Sequence, residues 1–376
     1  MANKPSFLCT PEQSKETVFT TVLYRIPALI YLGDDKILSF AEHRMSTKSA
    51  GPAVLDMRTG KVNRNKKSNP EVTIKWSEPN PVKEAQLHGC HPMNPCPVYE
   101  KNSKTLFLFF ICVKDGVTEQ WQISNNKNET HLCYIKSNDD GQNWSEVTVF
   151  TENELVEIKD WATMAVAPGH GIQMESGRLI VPLYAYYREK SSRFSLCLYS
   201  VDKGNTWKLG NKLKTHSNEC EMAEIFDDKG SKIYCNARHK NYRVEAVSHD
   251  GGEEFKPASS DNKSKLVDTD SGCQGSVVSF PDQSEVQPVH NKWLLYSHPT
   301  ERTRNNLGVY LNKSPKYPEK WSKPWIINSG PSGYSDLAYI DDGWFVCVME
   351  CGDDKETEQI ACRIFSYNDV EQAIAE

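Results

Sequence analysis

Short apolar runs alternate with turn-forming residues along almost the whole chain. The runs are rich in β-branched and aromatic residues, which is typical of strands; examples are residues 28–31, 37–40, 105–110, 179–181, 194–199, 293–296 and 344–348. Clusters of Gly and Asp, such as residues 32–35 and 340–343, separate them. The longest apolar stretch, residues 106–113, has the length of a buried strand. The pattern therefore predicts an all-β protein.

Helical patterns are rare in this chain. Fair candidates are a short piece at residues 152–158 and the C-terminal residues 368–376. The polar stretches 59–70 and 257–265 are predicted to be long surface loops. Because no change in composition marks a linker, we interpret residues 1–376 as a single domain.

A motif of the form Ser-x-Asp-x-Gly-x-x-(Trp/Phe) recurs at residues 137–144, 200–207 and 248–255. In each copy the Asp can accept backbone N–H bonds inside a tight turn, the Gly can supply a positive φ, and the aromatic residue can pin the turn to apolar surface. The first residues of the copies lie 63 and 48 positions apart, which is about the length of one four-stranded sheet. These Asp boxes predict a β-propeller, and roughly 60 residues per blade would allow six blades.

Composition and charge limit which partners and which cellular location we expect for this protein. A net charge of −6 gives no general attraction to nucleic acid. No run of about 18 apolar residues is present, and the N-terminus lacks an apolar secretory core. The twelve cysteines have no metal-binding spacing, which favours reduced, buried thiols over a disulfide framework. We expect a protein that is cytoplasmic or peripherally bound to a membrane, and not secreted.

Several arginines lie at the ends of strand-like runs. An isolated arginine of this kind is usually a solvated loop residue, but Arg25 comes just before the first strand, and Arg44, Arg238 and Arg304 each end a strand-like run. Propeller ligands bind near the axis, where strands of different blades converge. Three guanidinium groups meeting there would hold a carboxylate through charge-assisted, partly bidentate hydrogen bonds.

Further motifs make the chain recognisable as a member of a family. The segments at residues 24–27 (Tyr-Arg-Ile-Pro), 40–44, 93–97, 236–238, 272–276 and 333–337, together with the Asp boxes, resemble the vertebrate sialidases, or exo-α-neuraminidases. The resemblance extends from about residue 24 to residue 365. Its C-terminal part is most similar to the membrane-associated ganglioside sialidases, and the cytosolic sialidases are near relatives.

The resemblance implies roles for individual residues. Arg25, Arg238 and Arg304 match the arginine triad that holds the sialic acid carboxylate, and Glu350 matches the residue that orients the first arginine. Tyr334 matches the nucleophile and Glu219 the base that activates it. Further positions match substrate-binding residues, namely Arg44, Asn94, Glu119, Tyr184, Tyr186 and Gln274. For Asn94, the two tyrosines and Gln274, a packing role is the alternative.

The chemistry explains these residue types. The anomeric carbon of sialic acid carries a carboxylate that would repel a negatively charged nucleophile, whereas a phenol is neutral until its proton leaves. A neighbouring Glu can take that proton as attack begins. Sialidases with a tyrosine nucleophile depart from the two-carboxylate pattern of glycosidases. The implied outcome is retention of configuration through a covalent sialyl-tyrosine.

The chain departs from the family pattern at two places: His91 and Pro92 stand where the family has an arginine before the motif at residues 93–97, and the acid/base position differs. Family members place an acid/base Asp five residues after Arg44, where this chain has Ser49, and the next Asp, Asp56, lies in a strand-like context. A hydroxyl cannot protonate a leaving oxygen as a carboxylic acid does. Three alternatives stay open: an active sialidase whose proton comes from water or another loop residue, a slow enzyme that needs good leaving groups, or a sialic-acid-binding propeller with little turnover.

The leading hypothesis is a retaining exo-α-sialidase with no metal and no cofactor. The expected substrates are gangliosides, sialoglycoproteins and sialylated oligosaccharides, with membrane contact left open and no nucleic acid involved. The rivals are a lectin-like binding module and a trans-sialidase.

Overall fold

The computed structural model describes residues 8–9, 15–20, 23–46, 52–65, 71–189, 192–240, 242–259, 264–284 and 291–375. These residues form antiparallel sheets joined by short connections. The first sheet contains β1 (Leu8–Cys9), β3 (Tyr24–Gly33), β4 (Lys36–Arg44), β5 (Ala53–Asn65), β6 (Glu71–Trp76) and β7 (Asn80–Pro81). The second contains β8 (Cys90–Glu100), β9 (Thr105–Lys114), β10 (Thr130–Ser137) and β11 (Thr148–Val149).

The next two sheets each have a row of four strands, and in the first of them β13 pairs with β14 as an additional strand. One contains β12 (Trp161–Val166), β13 (Ile172–Gln173), β14 (Leu179–Tyr187), β15 (Arg193–Ser200) and β16 (Lys208–Leu209). The other contains β17 (Cys220–Asp227), β18 (Gly230–Arg238), β19 (Arg243–Ser248) and β20 (Phe255–Pro257). The last sheet has seven strands: β2 (Glu16–Phe19), β21 (Ser276–Pro281), β22 (Lys292–Pro299), β23 (Asn305–Asn312), β24 (Trp325–Tyr339), β25 (Trp344–Cys351) and β26 (Gln359–Ser366).

Strand β24 belongs to two parts of that last sheet. Its partners on β23 lie opposite residues 325–331, and its partners on β25 lie opposite residues 332–339. The sheet therefore divides into the four-stranded sections β21–β24 and β24–β25–β26–β2. With the other sheets this grouping gives six four-stranded sections, which is compatible with six blades. The N-terminal strand β2 completes the last section by pairing with the C-terminal β26.

The sections are arranged in a closed ring. The inner strand β3 contacts β8, β8 contacts β12, β14 contacts β17, β17 contacts β21, β21 contacts β24, and β24 contacts β3 again. Because each section packs against a neighbour on both faces, its strands are apolar on both sides; residues 106–113 of β9 are all buried. The ring confirms the prediction of an all-β propeller and of a buried strand at this position.

The Asp boxes form the turns between the third and fourth strands of three sections. In the second box the Ser200 hydroxyl donates to Asp202 Oδ1 at 2.8 Å and accepts from the Gly204 N–H at 2.8 Å. Asp202 Oδ1 also accepts from the Thr206 N–H at 2.9 Å, and Gly204 has φ 83°. The boxes at residues 137–144 and 248–255 repeat these bonds. The boxes therefore lie at the outer edges of the sections, as their local chemistry predicts.

The helices differ from prediction in part. The C-terminal helix α2 (Tyr367–Ala375) is present as expected, whereas the predicted helical piece at residues 152–158 is a single 3₁₀ turn, Val156–Asp160. Helix α1 (Glu119–Asn125) was not predicted, because its seven residues are too few for a clear helical period; Thr118 caps it by accepting from the Trp121 N–H. No helix of the described residues is long and apolar enough to cross a membrane.

Of two other predictions, one is partly wrong and one is confirmed. The stretch 59–70 is not a loop throughout, since β5 continues to Asn65 with alternating buried and exposed positions and pairs with β6. The cysteine prediction is confirmed for the described side chains. The eleven cysteines described there are thiols and form no disulfide with one another, and all of them except Cys90 are buried.

Candidate active site

Three inner strands have an irregularity in their pairing, and each irregularity carries a candidate residue. The pairing of β3 with β4 shifts after Arg25, that of β8 with β9 shifts around Asn94, and that of β24 with β25 shifts around Tyr334. A β-bulge re-aims a side chain that regular pairing would direct into a sheet face. Bulges therefore turn these three side chains toward one end of the ring.

Arg25 is oriented by a fully buried carboxylate on β25. Its Nε donates to Glu350 Oε1 at 2.6 Å and its Nη2 donates to Oε2 at 3.2 Å. The same carboxylate accepts from the N–H of Ile26 at 2.9 Å and from that of Tyr334 at 3.2 Å. Burial lowers the pKa of Arg25, but Glu350 raises it by more, so that the pKa lies above its ordinary value. Glu350 therefore fixes both an arginine and the backbone of the predicted nucleophile.

Backbone strain accompanies this arrangement. Ile26 has φ 58°, a left-handed conformation that a β-branched residue rarely adopts and that costs about 1–3 kcal/mol. Its N–H bond to Glu350 holds it there, and its side chain packs in a small buried cluster with Cys273 and Tyr334. The strained residue thus forms part of the wall behind the tyrosine ring.

Tyr334, Glu219 and Arg238 form a closed set of hydrogen bonds. The Tyr334 hydroxyl donates to Glu219 Oε1, and Arg238 Nη1 donates to Glu219 Oε2 at 2.6 Å and to the tyrosine oxygen at 2.9 Å. Glu219 precedes β17 and Arg238 ends β18, and their backbones pair through the Arg238 N–H and the Glu219 carbonyl at 2.8 Å. Strand pairing therefore brings the base and the arginine together, and β24 brings the tyrosine to them.

The electrostatic setting keeps the phenol protonated. Burial raises the pKa of Tyr334 well above its ordinary value, and the Glu219 carboxylate raises it further, while Arg238 and Arg304 act in the opposite direction. The proton therefore stays on the phenol until a reaction draws electron density from the oxygen. Glu219 is then positioned to receive it.

Arg304 completes the group of cations. Its guanidinium lies 5.2 Å from the centroid of the Tyr334 ring, and its Nη1 lies 3.7 Å from Glu356 Oε1. Its carbonyl accepts from the N–H of Ser332, two residues before the tyrosine. A cavity of about 810 Å³ adjoins it and is lined in part by loop residues that follow β18, β20, β22 and β25. The structure thus brings the three predicted triad arginines to one tyrosine, two of them directly and Arg25 through Glu350.

Arg44 is held by a residue that the sequence interpretation did not assign. Its Nε and Nη2 donate to Glu42 Oε2 at 2.9 and 2.6 Å, and Glu42 Oε1 accepts from the Asn94 N–H at 2.8 Å. Glu42 is fully buried. The sequence does contain a signal for this contact, because Glu42 and Arg44 are two residues apart on a strand and such residues point to the same face. The amide nitrogen of Asn94 donates to the Val166 carbonyl at 2.9 Å.

Two tyrosines and a glutamate form a second wall of the candidate site. The rings of Tyr184 and Tyr186 meet edge to face with centroids 6.3 Å apart, and the Tyr186 hydroxyl donates to Glu119 Oε1 at 3.3 Å. Glu119 starts helix α1 and its side chain is exposed to solvent.

Two predicted site residues are placed differently. Gln274 is 1% exposed, and its amide is fully engaged with other parts of the chain, so the structure does not bring it to a ligand-accessible surface. Ser49 lies outside the described residues. The nearby Asp56 is buried on β5, where it accepts from the Tyr24 hydroxyl at 2.5 Å and lies 3.1 Å from His43 Nδ1, so it is not directed at Tyr334.

One group of metal-ligating side chains occurs among the described residues. His170, Glu221 and Asp336 have ligand atoms within 4.8 Å of one another. Their carboxylate oxygens already accept hydrogen bonds, for example from Ser276 and from the N–H of Leu29. The group is accounted for by bonds within the protein.

A propeller whose arginines gather around a tyrosine–glutamate pair defines a protein with a site suited to a carboxylate-bearing ligand. Comparison with known proteins agrees with this class. The family described as "BNR repeat-like domain" matches residues 59–347. The chain is 41% identical to Sialidase-3 of Bos taurus over 397 residues, covering 93% of this chain and 90% of the relative. It is also 41% identical to Sialidase-2 of Mus musculus over 367 residues, covering 92% and 94%. The chain belongs to the sialidase family.

Solved structures support the fold independently. The intramolecular trans-sialidase from Ruminococcus gnavus superposes with a TM-score of 0.71 at 16% identity and covers 94% of this chain and 96% of its own. Trypanosoma rangeli sialidase gives a TM-score of 0.66 at 16% identity and covers 93% and 55%. At such identities the likeness concerns the propeller fold alone.

Proposed function

We propose that this protein is a retaining exo-α-sialidase that removes terminal α-linked sialic acid from gangliosides and other sialoglycoconjugates. The observation that carries the proposal is the hydrogen-bonded set of Tyr334, Glu219 and Arg238, flanked by Arg25 and Arg304. Membership of the sialidase family supports sialic acid as the group that is removed. The resemblance of the C-terminal motifs supports gangliosides as leading substrates, and peripheral membrane contact would suit them.

The first chemical step forms a covalent intermediate. The three arginines hold the substrate carboxylate, and the Tyr334 oxygen attacks the anomeric carbon while its proton passes to Glu219. The bond between that carbon and the glycosidic oxygen breaks, and the leaving oxygen takes up a proton. Charge develops on the sugar ring beside the carboxylate, which stays paired with the guanidinium groups.

The second step releases sialic acid. A water molecule attacks the anomeric carbon and gives up a proton to the water or loop residue that protonated the leaving oxygen in the first step. The bond to the tyrosine oxygen breaks, and Glu219 returns its proton to the phenolate. Two displacements at one carbon give net retention. Arg238 donates to both the tyrosine oxygen and Glu219, so it stabilises the negative charge whether that charge lies on the phenolate or on the carboxylate.

Ser49 makes proton supply to the leaving oxygen the weak point of this mechanism. We expect slow turnover of natural glycosides, whose leaving groups are poor, and faster turnover of aryl sialosides, whose leaving groups need little protonation. Water or a neighbouring loop residue would then supply the proton. The rival function is a lectin-like propeller that binds sialic acid with little turnover, and the serine is the observation that favours it.

The test compares a ganglioside with an aryl sialoside for the wild type and Ser49→Asp. We expect the substitution to raise kcat on the ganglioside by about 10²-fold, with a smaller gain on the aryl sialoside. Steady-state kinetics measure both. If wild-type protein binds a sialic-acid-shaped inhibitor but turns over neither substrate, the lectin-like function replaces the proposal. If kcat on gangliosides is already high and unchanged by the substitution, proton supply does not depend on residue 49.

A further inference from the structure

The residue that follows the tyrosine is held by a glutamine from another part of the ring. The Ser335 N–H donates to Gln274 Oε1 at 3.0 Å, and Gln274 Nε2 donates to the Ser335 carbonyl at 2.9 Å. These two bonds imitate the pairing between neighbouring strands, although a side chain supplies one partner. They fix both backbone polar groups of the residue adjacent to Tyr334.

The amide of Gln274 has no exposed capacity left for a ligand. Its Nε2 also lies 3.2 Å from Glu221 Oε1 and 3.4 Å from the Pro168 carbonyl, and the side chain is 1% exposed. A substrate contact would require these bonds to break inside the protein. The geometry therefore separates Gln274 from the side chains that face the site.

A buried polar network also holds the strand segment that follows Tyr334. The Ser276 hydroxyl lies 2.8 Å from both Glu221 Oε2 and Asp336 Oδ1, and it accepts from the Leu337 N–H at 3.0 Å. Burial raises the pKa of Glu221 well above its ordinary value, and the charge of Asp336 raises it further.

Asp336 ties the network to other blades. Its Oδ2 accepts from the Leu29 N–H of β3 at 2.6 Å, and its Oδ1 lies 2.7 Å from His170 Nδ1. Residues 335–337 are thus bonded to β3, to the start of β21 and to the loop that carries His170. The strand segment after Tyr334 has little freedom to shift along the axis.

We propose that Gln274 is a positioning residue that acts through the Ser335 backbone to hold Tyr334 against Glu219, and that it does not contact substrate. The inference rests on the proposed sialidase function for its kinetic consequences. Without the amide, the N–H and C=O of Ser335 would be buried and unpaired, and the segment would relax to find other partners. A displacement of about 1 Å at a reacting group can cost roughly 10²-fold in rate.

The experiment compares Gln274→Met with Gln173→Met. Gln173 is a matched control because its amide also accepts from a backbone N–H, that of Lys101 at 2.8 Å, and donates to Glu100, at the opposite end of the ring. We expect Gln274→Met to lower kcat on an aryl sialoside, and the rate of covalent labelling by a 2,3-difluorinated sialic acid, by about 10- to 100-fold. The KM and the Kd of a 2,3-unsaturated sialic acid analogue should change by less than about 2-fold, as for a residue without substrate contact. Gln173→Met should leave all four values unchanged.

Gln274→Glu is a second variant that tests the proposal if Gln274→Met does not fold. It keeps an oxygen for the Ser335 N–H and should show an intermediate loss of kcat. The proposal is overturned if either folded variant raises KM and the inhibitor Kd while kcat stays constant, since that pattern marks a substrate contact. It is also overturned if a folded Gln274→Met variant keeps the wild-type kcat.

A crystal structure of Gln274→Met beside the wild type gives a readout that does not depend on turnover. The contact between the Tyr334 hydroxyl and Glu219 should be lost or lengthened in the variant. An unchanged contact contradicts the positioning role, whatever the activity. Failure of the wild type to be labelled would count against the proposed function alone, because the structural comparison would still decide the role of Gln274.

Discussion

Carboxylates that accept hydrogen bonds stabilise both the Asp boxes and the candidate active site. The bonded residues are close in sequence in the boxes and far apart in sequence in the site. In each, a carboxylate accepts N–H bonds and fixes a backbone. In the second Asp box the bond from the Thr206 N–H to Asp202 spans four residues. In the site, the bond from Tyr334 to Glu219 spans 115 residues and that from Arg25 to Glu350 spans 325. The boxes are complete within one turn, whereas the site exists only when the ring has closed.

The two regions also differ in exposure. The Asp139 carboxylate lies at the surface, and the side chain of Asn143, together with the backbone, lowers its pKa to about 2. Glu350 is fully buried, and its charge is balanced by an arginine from the other end of the chain. Water can replace a lost bond in an outer turn but not in the buried site. A change in a box should therefore stay local, and a change in the site should reach several groups.

The largest expected effect is that of Tyr334→Phe. The substitution keeps the ring beneath Arg304 but removes the oxygen that would form the covalent bond, so kcat should fall by about 10³-fold or more. Mass spectrometry after treatment with a fluorinated sialic acid should show no adduct, while a transition-state-like inhibitor should still bind. A persistent adduct at the wild-type rate would contradict the nucleophile assignment.

Glu350→Gln should have the next largest effect. The amide can still accept one bond, but it leaves Arg25 without a balancing charge, and breaking a buried pair typically costs 3–5 kcal/mol. Because the Arg25 side chain is 19% exposed, we expect a loss near the lower limit, about 3 kcal/mol in the free energy of unfolding. The KM should also rise, since the guanidinium loses its fixed orientation.

A surface pair provides the control for Glu350→Gln. Glu253 belongs to the third Asp box and lies 3.6 Å from Arg178, and its side chain is 53% exposed. Glu253→Gln should change stability by less than about 1 kcal/mol and leave KM unchanged. Denaturant titration and steady-state kinetics measure both variants. Equal losses in the two would mean that burial does not distinguish the site from the outer edge.

The same difference in range explains what could be predicted from sequence. The boxes and strands were predicted because their signals lie within a few residues, as for residues 106–113 and the turn at Ser200. That β24 serves two sections was not predicted, because the pattern indicated no strand over its fifteen residues and its partners are set by ring closure. Helix α1 was missed because its capping residue Thr118 gives only a weak local signal.

The sequence predicted which residues form the candidate site, but it did not predict the contacts that hold them in place. Motifs singled out the arginines, Tyr334 and Glu219, and the structure brings them together. They did not reveal Glu42, which holds Arg44, or Asp336, which ties the strand after the tyrosine to β3. They left both a substrate contact and a packing role open for Gln274, because nothing local shows that Ser335, sixty-one residues away, occupies its amide.

The smallest effect should come from the Asp box itself, through Asp202→Ala. The change removes the bonds from the Thr206 N–H and hydroxyl, which should cost about 1 kcal/mol in the free energy of unfolding, while kcat and KM stay at wild-type values. Hydrogen bonds from Thr206 lower the pKa of Asp202 in the folded protein. Its contribution to stability is therefore present above the unfolded pKa of about 3.9 and is lost as the pH falls below that value. Unfolding measured at pH 7 and pH 3 should show the wild type and variant converging in acid; a change in KM would mean that the outer turns and the site are coupled after all.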